Sequence, residues 1–372
     1  MKKVLFVATV VKTHIVAFHI PFLEWFKKHG YEVHVCAKND YSNKDECIIP
    51  FCDKYFNLEF ERSPFNFKNV EVFFKLRELI SNNNYDLIHC HTPVGGVLTR
   101  LASKKSRKKG TKVIYTAHGF HFYKGAPMKN WILYYPVEKI LARLTDTIIT
   151  INKEDYTVAK HFNKSKIEYV PGVGINLSKF QDKIVDKEQV VTKLGVDKNK
   201  IILLSVGELI KRKNHQIVIK ALSKLNNKNI IYLICGQGEL EVNLKKLAND
   251  LNVNVKFLGY RNDVEQICSI SDVFVFPSTQ EGLPIALIEA MASGMPVVCS
   301  NIRGNNELIE NGCGGYLVKT NSVDEYVKYI DMLVKDEELR DRMGMINVNS
   351  ARKYNSEIVK YNMAEIYTKL IV

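Results

Sequence analysis

Short runs of β-branched and apolar residues alternate with amphipathic stretches along the chain, and the pattern occurs in two successive series. The first series places apolar runs at 3–8, 32–37, 86–91, 112–117 and 147–152, with helical periodicity between them at 18–29, 70–82 and 131–144. The second places runs at 200–206, 230–235, 255–258, 273–277 and 296–299, separated by helical stretches at 215–225, 239–251 and 283–292. Strands that alternate with helices form parallel sheets covered on both faces, with ligands at the C-terminal strand ends. Two such series in 372 residues predict two α/β domains, each large enough to bury its own core, with a cleft between them. Pro171, Gly172 and Gly174 begin a polar stretch to 187 that suits a linker, and residues 354–372 have helical periodicity.

Charge divides the chain unevenly. Residues 1–180 carry 28 Lys and Arg against 16 Asp and Glu, whereas residues 181–372 carry 25 against 24. A basic first half implies an anionic partner or a solvated lysine surface, and the cluster Arg100, Lys104, Lys105, Arg107, Lys108, Lys109, Lys112 is its densest part. Nucleic acid is disfavoured because no binding motif interleaves aromatic and basic residues. The apolar run after Lys2 and Lys3 ends at Lys12 with no small-residue cleavage site, so it reads as a buried strand and not a secretion signal. No stretch reaches the ~20 apolar residues of a membrane-spanning helix. Eight scattered cysteines without a CxxC pair suit free thiols in a reducing cytoplasm. His89, His91, His118 and His121 lack partner cysteines or a second histidine pair at ligand spacing, so no metal site is expected.

The segment that carries most chemistry runs from Glu281 through Gly282, Leu283, Pro284 and Glu289 to Gly294 and Pro296. It follows a strand and opens a helix, with Pro284 suited to the first turn and Gly282 to close backbone approach. The helix start offers N–H groups and a positive dipole end to an anion such as a diphosphate. Glu281 precedes that start and Glu289 lies two turns inside, so one carboxylate can reach a transferred sugar and the other ribose hydroxyls. Taken singly, each glutamate fits an exposed surface position better than a binding role.

Together these residues form an EX7E motif that resembles the donor-site signature of family 4 glycosyltransferases, and the resemblance spans nearly the whole chain. The stretch from Ser205 and Gly207 to Lys213 and Asn214 is similar to the family's phosphate loop. The stretch Gly259–Val264, with Arg261, is similar to its nucleotide-base segment, and Val170–Ile175 to its interdomain hinge. Thr116–Phe120 resembles the loop that carries its active-site histidine. The resemblance implies the GT-B architecture: two Rossmann-like domains, an acceptor domain at 1–175 and a donor domain at 176–353, with a helix at 354–372 returning toward the first. It implies His118 and Glu281 at the reaction centre, and donor binding by Gly207, Arg212, Lys213, Arg261, Gly282, Leu283, Pro284 and Glu289. Thr13, His14, His121 and Lys124 are candidates for the acceptor, as is Thr9.

The chemistry implied is retaining transfer from a nucleotide-sugar, of the UDP type, without a metal cofactor. The departing phosphate would accept the acceptor's proton. The stretch from Thr116 to Gly125 resembles bacterial surface-polysaccharide enzymes, which implies a lipid-diphosphate-linked saccharide acceptor and a cytoplasmic protein on the inner face of the membrane. An anionic membrane would meet residues 124–143, where Met128, Trp131, Ile132, Leu133, Tyr134 and Tyr135 lie among cations, unless that helix packs its apolar side inward. Two departures stand out. Glu208 occupies the place where the family commonly has arginine, leaving Lys211 or Arg212 to supply the missing cation. The first loop, from Ala8 to His14, also lacks the family's usual glycine pair. Two rival readings share the architecture: a nucleotide-sugar 2-epimerase and a catalytically degenerate regulatory subunit.

Overall fold

A computed structural model describes residues 1–162, 164–181 and 186–371. The chain forms two compact units, Met1–Val173 with Glu357–Val372, and Gly174–Ser356. Each is built on one parallel sheet.

In the first unit seven strands are β1 (Lys3–Val10), β2 (Glu32–Lys38), β3 (Lys54–Asn57), β4 (Leu87–His91), β5 (Lys112–Ala117), β6 (Thr147–Thr150) and β7 (Lys166–Tyr169). Their order is β3-β2-β1-β4-β5-β6-β7. The central strands are buried on both faces; all five residues of β4 are buried, its two histidines, His89 and His91, included. Strands β3 and β7 are edge strands with only partly buried residues, so neither shows a clear apolar run in the sequence.

In the second unit the strands are β8 (Ile201–Val206), β9 (Ile230–Cys235), β10 (Val255–Gly259), β11 (Val273–Phe276), β12 (Val297–Ser300) and β13 (Gly315–Val318), in the order β10-β9-β8-β11-β12-β13. In both sheets the order reverses beside the first strand, and the C-terminal ends of β1 and β8 are topological switch points where ligands bind in such folds.

The last helix, Ser356–Ile371, is mostly part of the first unit. Val359, Met363, Ile366 and Tyr367 recur along one face and pack with Phe6, Phe22 and Phe26. Burying each such side chain contributes roughly 1.5–3 kcal/mol, enough to hold a terminal helix in place. Within the second unit, Ile175 pairs with Asn355: its N–H donates to the Tyr354 carbonyl at 2.9 Å, and its own carbonyl accepts from Ser356 at 2.8 Å. The stretch read as a linker, 171–187, therefore contains a paired residue, Ile175, and a helical turn, Ser178–Gln181; residues 182–185 lie outside the described residues.

The basic cluster is also more ordered than a solvated loop. Arg100 is fully buried, with both terminal nitrogens on the Glu138 carboxylate at 2.8 and 3.0 Å and its guanidinium 4.0 Å from the Tyr115 ring. Arg107 pairs with Asp146. Lys104–Arg107 form a helical turn, and Lys104, Lys105, Lys108, Lys109 and Lys112 remain exposed.

Candidate functional site

The C-terminal end of β8 leads into Gly207, Glu208 and a short 3₁₀ turn, Lys211–Lys213, before the helix His215–Leu225. A side chain at Gly207 would meet the Lys213 stem at 3.2 Å, so glycine there lets the lysine fold back across the loop. Lys213 Nζ donates to Glu281 Oε1 at 2.8 Å, and Arg212 Nη1 donates to the same oxygen at 3.0 Å. Arg212 also binds the Gln280 carbonyl at 3.0 Å. Lys213 and Glu281 have side chains only 12% and 10% exposed, so their pair is largely desolvated, while Arg212, at 37%, closes the cluster from the solvent side.

Glu208 is 67% exposed and 3.8 Å from Arg212, and Lys211 is exposed. Of the two candidates for the missing cation, Arg212 lies in the cluster. Two residues overlooked in the sequence complete this end. Arg303 Nε donates to the Glu281 carbonyl at 3.1 Å. Gly304, at φ +82°, lies against Gly282, whose carbonyl oxygen a Cβ at 304 would meet at 2.5 Å. Neither stands at a recognisable motif spacing from the EX7E segment. Only the chain's return after β12 brings them there.

The helix after Glu281 begins at Ile285, and Pro284 is its cap with extended backbone (φ −78°, ψ 117°), not a residue of its first turn. The cap's carbonyl still accepts from Ile288 N–H at 3.3 Å, while Leu283 and Pro284 are buried beneath the helix start. Glu289 is not on an exposed face. Burial pushes its carboxyl up to about 7, the nearby Glu265 pushes the same way, and Lys179 opposes them more weakly. A carboxyl held in this way is poised to ionise when hydroxyl donors reach it. Arg261 is engaged by its neighbour: its guanidinium takes both Asp263 oxygens at 2.8 and 2.5 Å. The side chain thereby stiffens the base-segment loop, and Tyr260 beside it is exposed.

In the first unit β5 ends at Ala117 and His118 begins the loop. The Asp155 carboxylate anchors this loop, accepting from Phe120 N–H at 2.9 Å and from Asn152 Nδ2 at 2.9 Å. Asn152 in turn caps the helix Lys153–Ala159 by accepting from Asp155 N–H at 2.8 Å. Burial draws the His118 imidazole down to about 4, which leaves it neutral at physiological pH. His14 lies edge-on to it with ring centroids 4.7 Å apart. In place of a glycine pair, the first loop makes a π-helical turn, Val11–Val16. Thr13 is tied to Asp40, whose Oδ2 accepts from its hydroxyl at 2.7 Å, and Thr9 shares a 2.6 Å hydroxyl contact with Thr92. His121 packs on Tyr134 at 4.8 Å, and Lys124 N–H donates to Glu154 at 2.6 Å while its side chain is exposed.

Of the histidines weighed in the sequence, His91 and His118 meet in the fold, and they do so with His14 and His19, which sequence spacing did not bring forward. His14, His19, His91 and His118 place one nitrogen each within 4.8 Å of one another. His89 instead has both nitrogens engaged, at 2.9 Å from the Tyr367 hydroxyl and 2.8 Å from Thr116. Five residues apart on one α-helix, two side chains would point ~140° from each other, but His14 lies in the π turn Val11–Val16 and His19 caps the next helix, Ile20–Lys28, and that change of backbone brings the two together.

The helix Met128–Leu141 divides its apolar residues. Trp131, Tyr134 and Tyr135 pack inward on the sheet, whereas Met128, Ile132, Leu133, Val137 and Ile140 are exposed. Across a cavity of about 270 Å³ lined by Leu133, Val137 and Phe122 stands Phe65, also exposed. Among the described residues no helix is long and apolar enough to cross a membrane.

Two family models match the chain: "Glycosyl transferase 4-like" over residues 3–152 and "Glycosyl transferases group 1" over residues 186–347. The chain is 38% identical to a putative glycosyltransferase, EpsD, of Bacillus subtilis, over 99% of this chain and 96% of that one. It is 30% identical to an Escherichia coli UDP-Gal:α-D-GlcNAc-diphosphoundecaprenol α-1,3-galactosyltransferase, over 82% of this chain and 78% of that one. Among solved structures, Anabaena HepE in complex with UDP-glucose superposes with a TM-score of 0.81 at 19% identity, covering 99% of this chain and 100% of that one. That likeness is one of fold.

Proposed function

This chain belongs to the group 1, family 4-like glycosyltransferases of GT-B fold, and on that premise we propose that it moves a sugar, with retention, from a UDP-sugar to a lipid-diphosphate-linked saccharide. The observation that carries the reading is the convergence of Arg212 and Lys213 on Glu281, beside the start of the helix Ile285–Ala292. A largely buried lysine, a half-exposed arginine and the N–H groups of a helix start suit the charge that builds on a departing diphosphate. The E. coli relative is named for a UDP-sugar donor and a diphosphoundecaprenol-linked acceptor, which supports the same classes here.

In this reading the bond between the anomeric carbon and the UDP oxygen breaks as the acceptor oxygen bonds to the same face of that carbon. The acceptor's proton passes to the departing phosphate, and UDP leaves. Lys213 and Arg212 bind the diphosphate, Glu289 accepts from the ribose hydroxyls, and Glu281 and His118 contact the sugar at the reaction centre. Fixed cations neutralise the leaving group, so no divalent metal is required for a step. The exposed apolar side of Met128–Leu141, with Lys129 and Lys139 on the same helix, rests on an anionic membrane that carries the acceptor.

The test is a panel of nucleotide sugars incubated with and without polyprenyl-diphosphate-linked saccharide. UDP release that requires the acceptor, with NMR showing the donor's anomeric configuration kept in the product, is the expected result. Conversion of the donor alone to its 2-epimer would replace this reading, and silence with every pair would favour a degenerate subunit. Activity should persist after exhaustive chelation.

A further inference from the structure

Four buried or half-buried histidines of the first unit face one another with few partners of their own. Neither ring nitrogen of His19, which is 2% exposed, has a hydrogen-bond partner; nor does Nε2 of His14 or of His91. Structural histidines of the same sheet are different. His89 has both nitrogens engaged, and His34 has one on the Tyr85 hydroxyl at 2.8 Å and the other on Glu32 at 2.7 Å. Buried polar atoms are rarely left unpaired, so four in one cluster point to an occupant. A cavity of about 20 Å³ bounded by His19, His91 and His118 has room for one water-sized body.

We propose that His14, His19, His91 and His118 form a binding site for one transition-metal ion of the zinc class, and that the filled site removes His118 from the transfer reaction. The metal is then an inhibitor of this enzyme and not its cofactor. The inhibitory half rests on the reading of His118 as a contact of the donor sugar; the metal site itself does not.

The donor set selects the ion. The cluster consists of imidazoles alone, which suit zinc, cobalt, nickel and copper, whereas magnesium and calcium take oxygen ligands. Burial, with mutual repulsion among the rings, keeps His14, His19 and His91 neutral, so their lone pairs are available. An anion would need the protonated rings that this environment resists. Zinc–nitrogen bonds of 2.0–2.1 Å place tetrahedral ligand atoms ~3.3 Å apart. His118 Nε2 and His91 Nδ1 are already 3.5 Å apart, and the widest separation in the cluster is no more than 4.8 Å. His19 and His91 are stacked at 3.8 Å, so one of these two rings must turn for both to ligate the same ion.

The full chain, stripped of metal, is titrated with Co²⁺ by visible absorption and with Zn²⁺ by calorimetry. One ion per chain with the intense d–d bands of tetrahedral Co²⁺ is expected. His19→Gln and His91→Gln should each weaken binding at least tenfold, with thermal melts confirming that each variant is folded. Stoichiometric Zn²⁺ should lower wild-type transfer at least tenfold, EDTA should restore it, and His19→Gln should keep most of its own metal-free rate. Absence of saturable binding by the wild type, or equal binding by both folded variants, overturns the site. Pyrophosphate binding lost in the same variants, without metal binding, assigns the cluster to an anion and overturns it too. Tetrahedral Co²⁺ with undiminished transfer overturns the inhibitory half, and with it the role of His118 rather than the metal site.

Discussion

The loops that leave β1 and β8 occupy the same position in their sheets, beside the point where strand order reverses, yet they are chemically opposite. After β8 the chain places Arg212 and Lys213 around one carboxylate oxygen, a charged and mutually satisfied cluster. After β1 it makes a π turn whose His14 joins the imidazoles of His19, His91 and His118, a neutral group with several unpartnered nitrogens. Topology thus supplies two equivalent strand ends, and side chains decide which one suits an anion. The β8 loop can neutralise an anion at once. The β1 loop would first have to protonate groups that burial keeps neutral.

The largest effects should come from one residue in each half of this comparison. Glu281→Gln and His118→Ala should each lower kcat by about 10²- to 10³-fold while the melting transition stays intact, since both contacts belong to the reaction centre. Near-normal turnover at saturating donor in either variant would remove that residue from the catalytic set.

Next in size is the distinction within the β8 loop. Arg212→Ala should weaken UDP binding and turnover roughly ten- to a hundredfold, as loss of a charge-assisted contact does. Lys211→Ala should stay within about twofold, because that side chain is exposed and outside the cluster. Glu208→Arg should not lower the donor KM. If Glu208→Arg improves it severalfold while Arg212→Ala changes little, the loop lacks a cation and Arg212 has not replaced it.

Glu289 gives a pH signature. The unfolded chain loses this proton near its ordinary value of 4.5, whereas the folded protein holds it to about 7. The folded state therefore binds the extra proton between these values, and its stability falls as pH rises through that window, by about 3 kcal/mol if the full shift is realised. Glu289→Gln should be more stable than wild type at pH 8 and equal to it below pH 4.5, by chemical denaturation. Because the ionised form is the better acceptor of ribose hydroxyls, UDP binding to wild type should tighten from pH 6 to 8, and calorimetry should find the variant about tenfold weaker at pH 8. A pH-independent wild type would sever Glu289 from the nucleotide.

The smallest effect concerns the surface. Binding to anionic liposomes should fall with salt, with each lysine near the membrane contributing about 1 kcal/mol, and Ile132→Asp should reduce it further. Equal partition to neutral vesicles would leave the exposed side of Met128–Leu141 without this role.

Much of this protein was legible from residue order alone. Ten of the strands announce themselves because a buried parallel strand must be apolar throughout. The missed ones, β3, β7 and β13, are all short edge strands of four residues; β3 and β7 bury none of them fully, and β13 opens on a glycine, so none presents a long apolar run. The EX7E segment, Gly207, Lys213 and His118 were readable through the resemblance to family 4 glycosyltransferases, because each of those motifs is a short stretch contiguous in the sequence. Arg303 and Gly304 were not, since only the packing of a distant turn brings them to Glu281.

Sequence by itself determined the alternation of strand and helix, hence two parallel sheets, and the residue types required at a diphosphate-binding helix start. Those depend on local periodicity and backbone geometry, which the order of residues encodes directly. Tertiary structure alone decided which cation after Glu208 reaches the carboxylate, how deeply Glu289 is buried, and which histidines meet. Such contacts join residues up to 104 positions apart, as His14 and His118 are, and depend on a π turn that no local pattern announces. Charge, burial and partnership are properties of a place in the fold, and the place exists only once the sheet has closed around it.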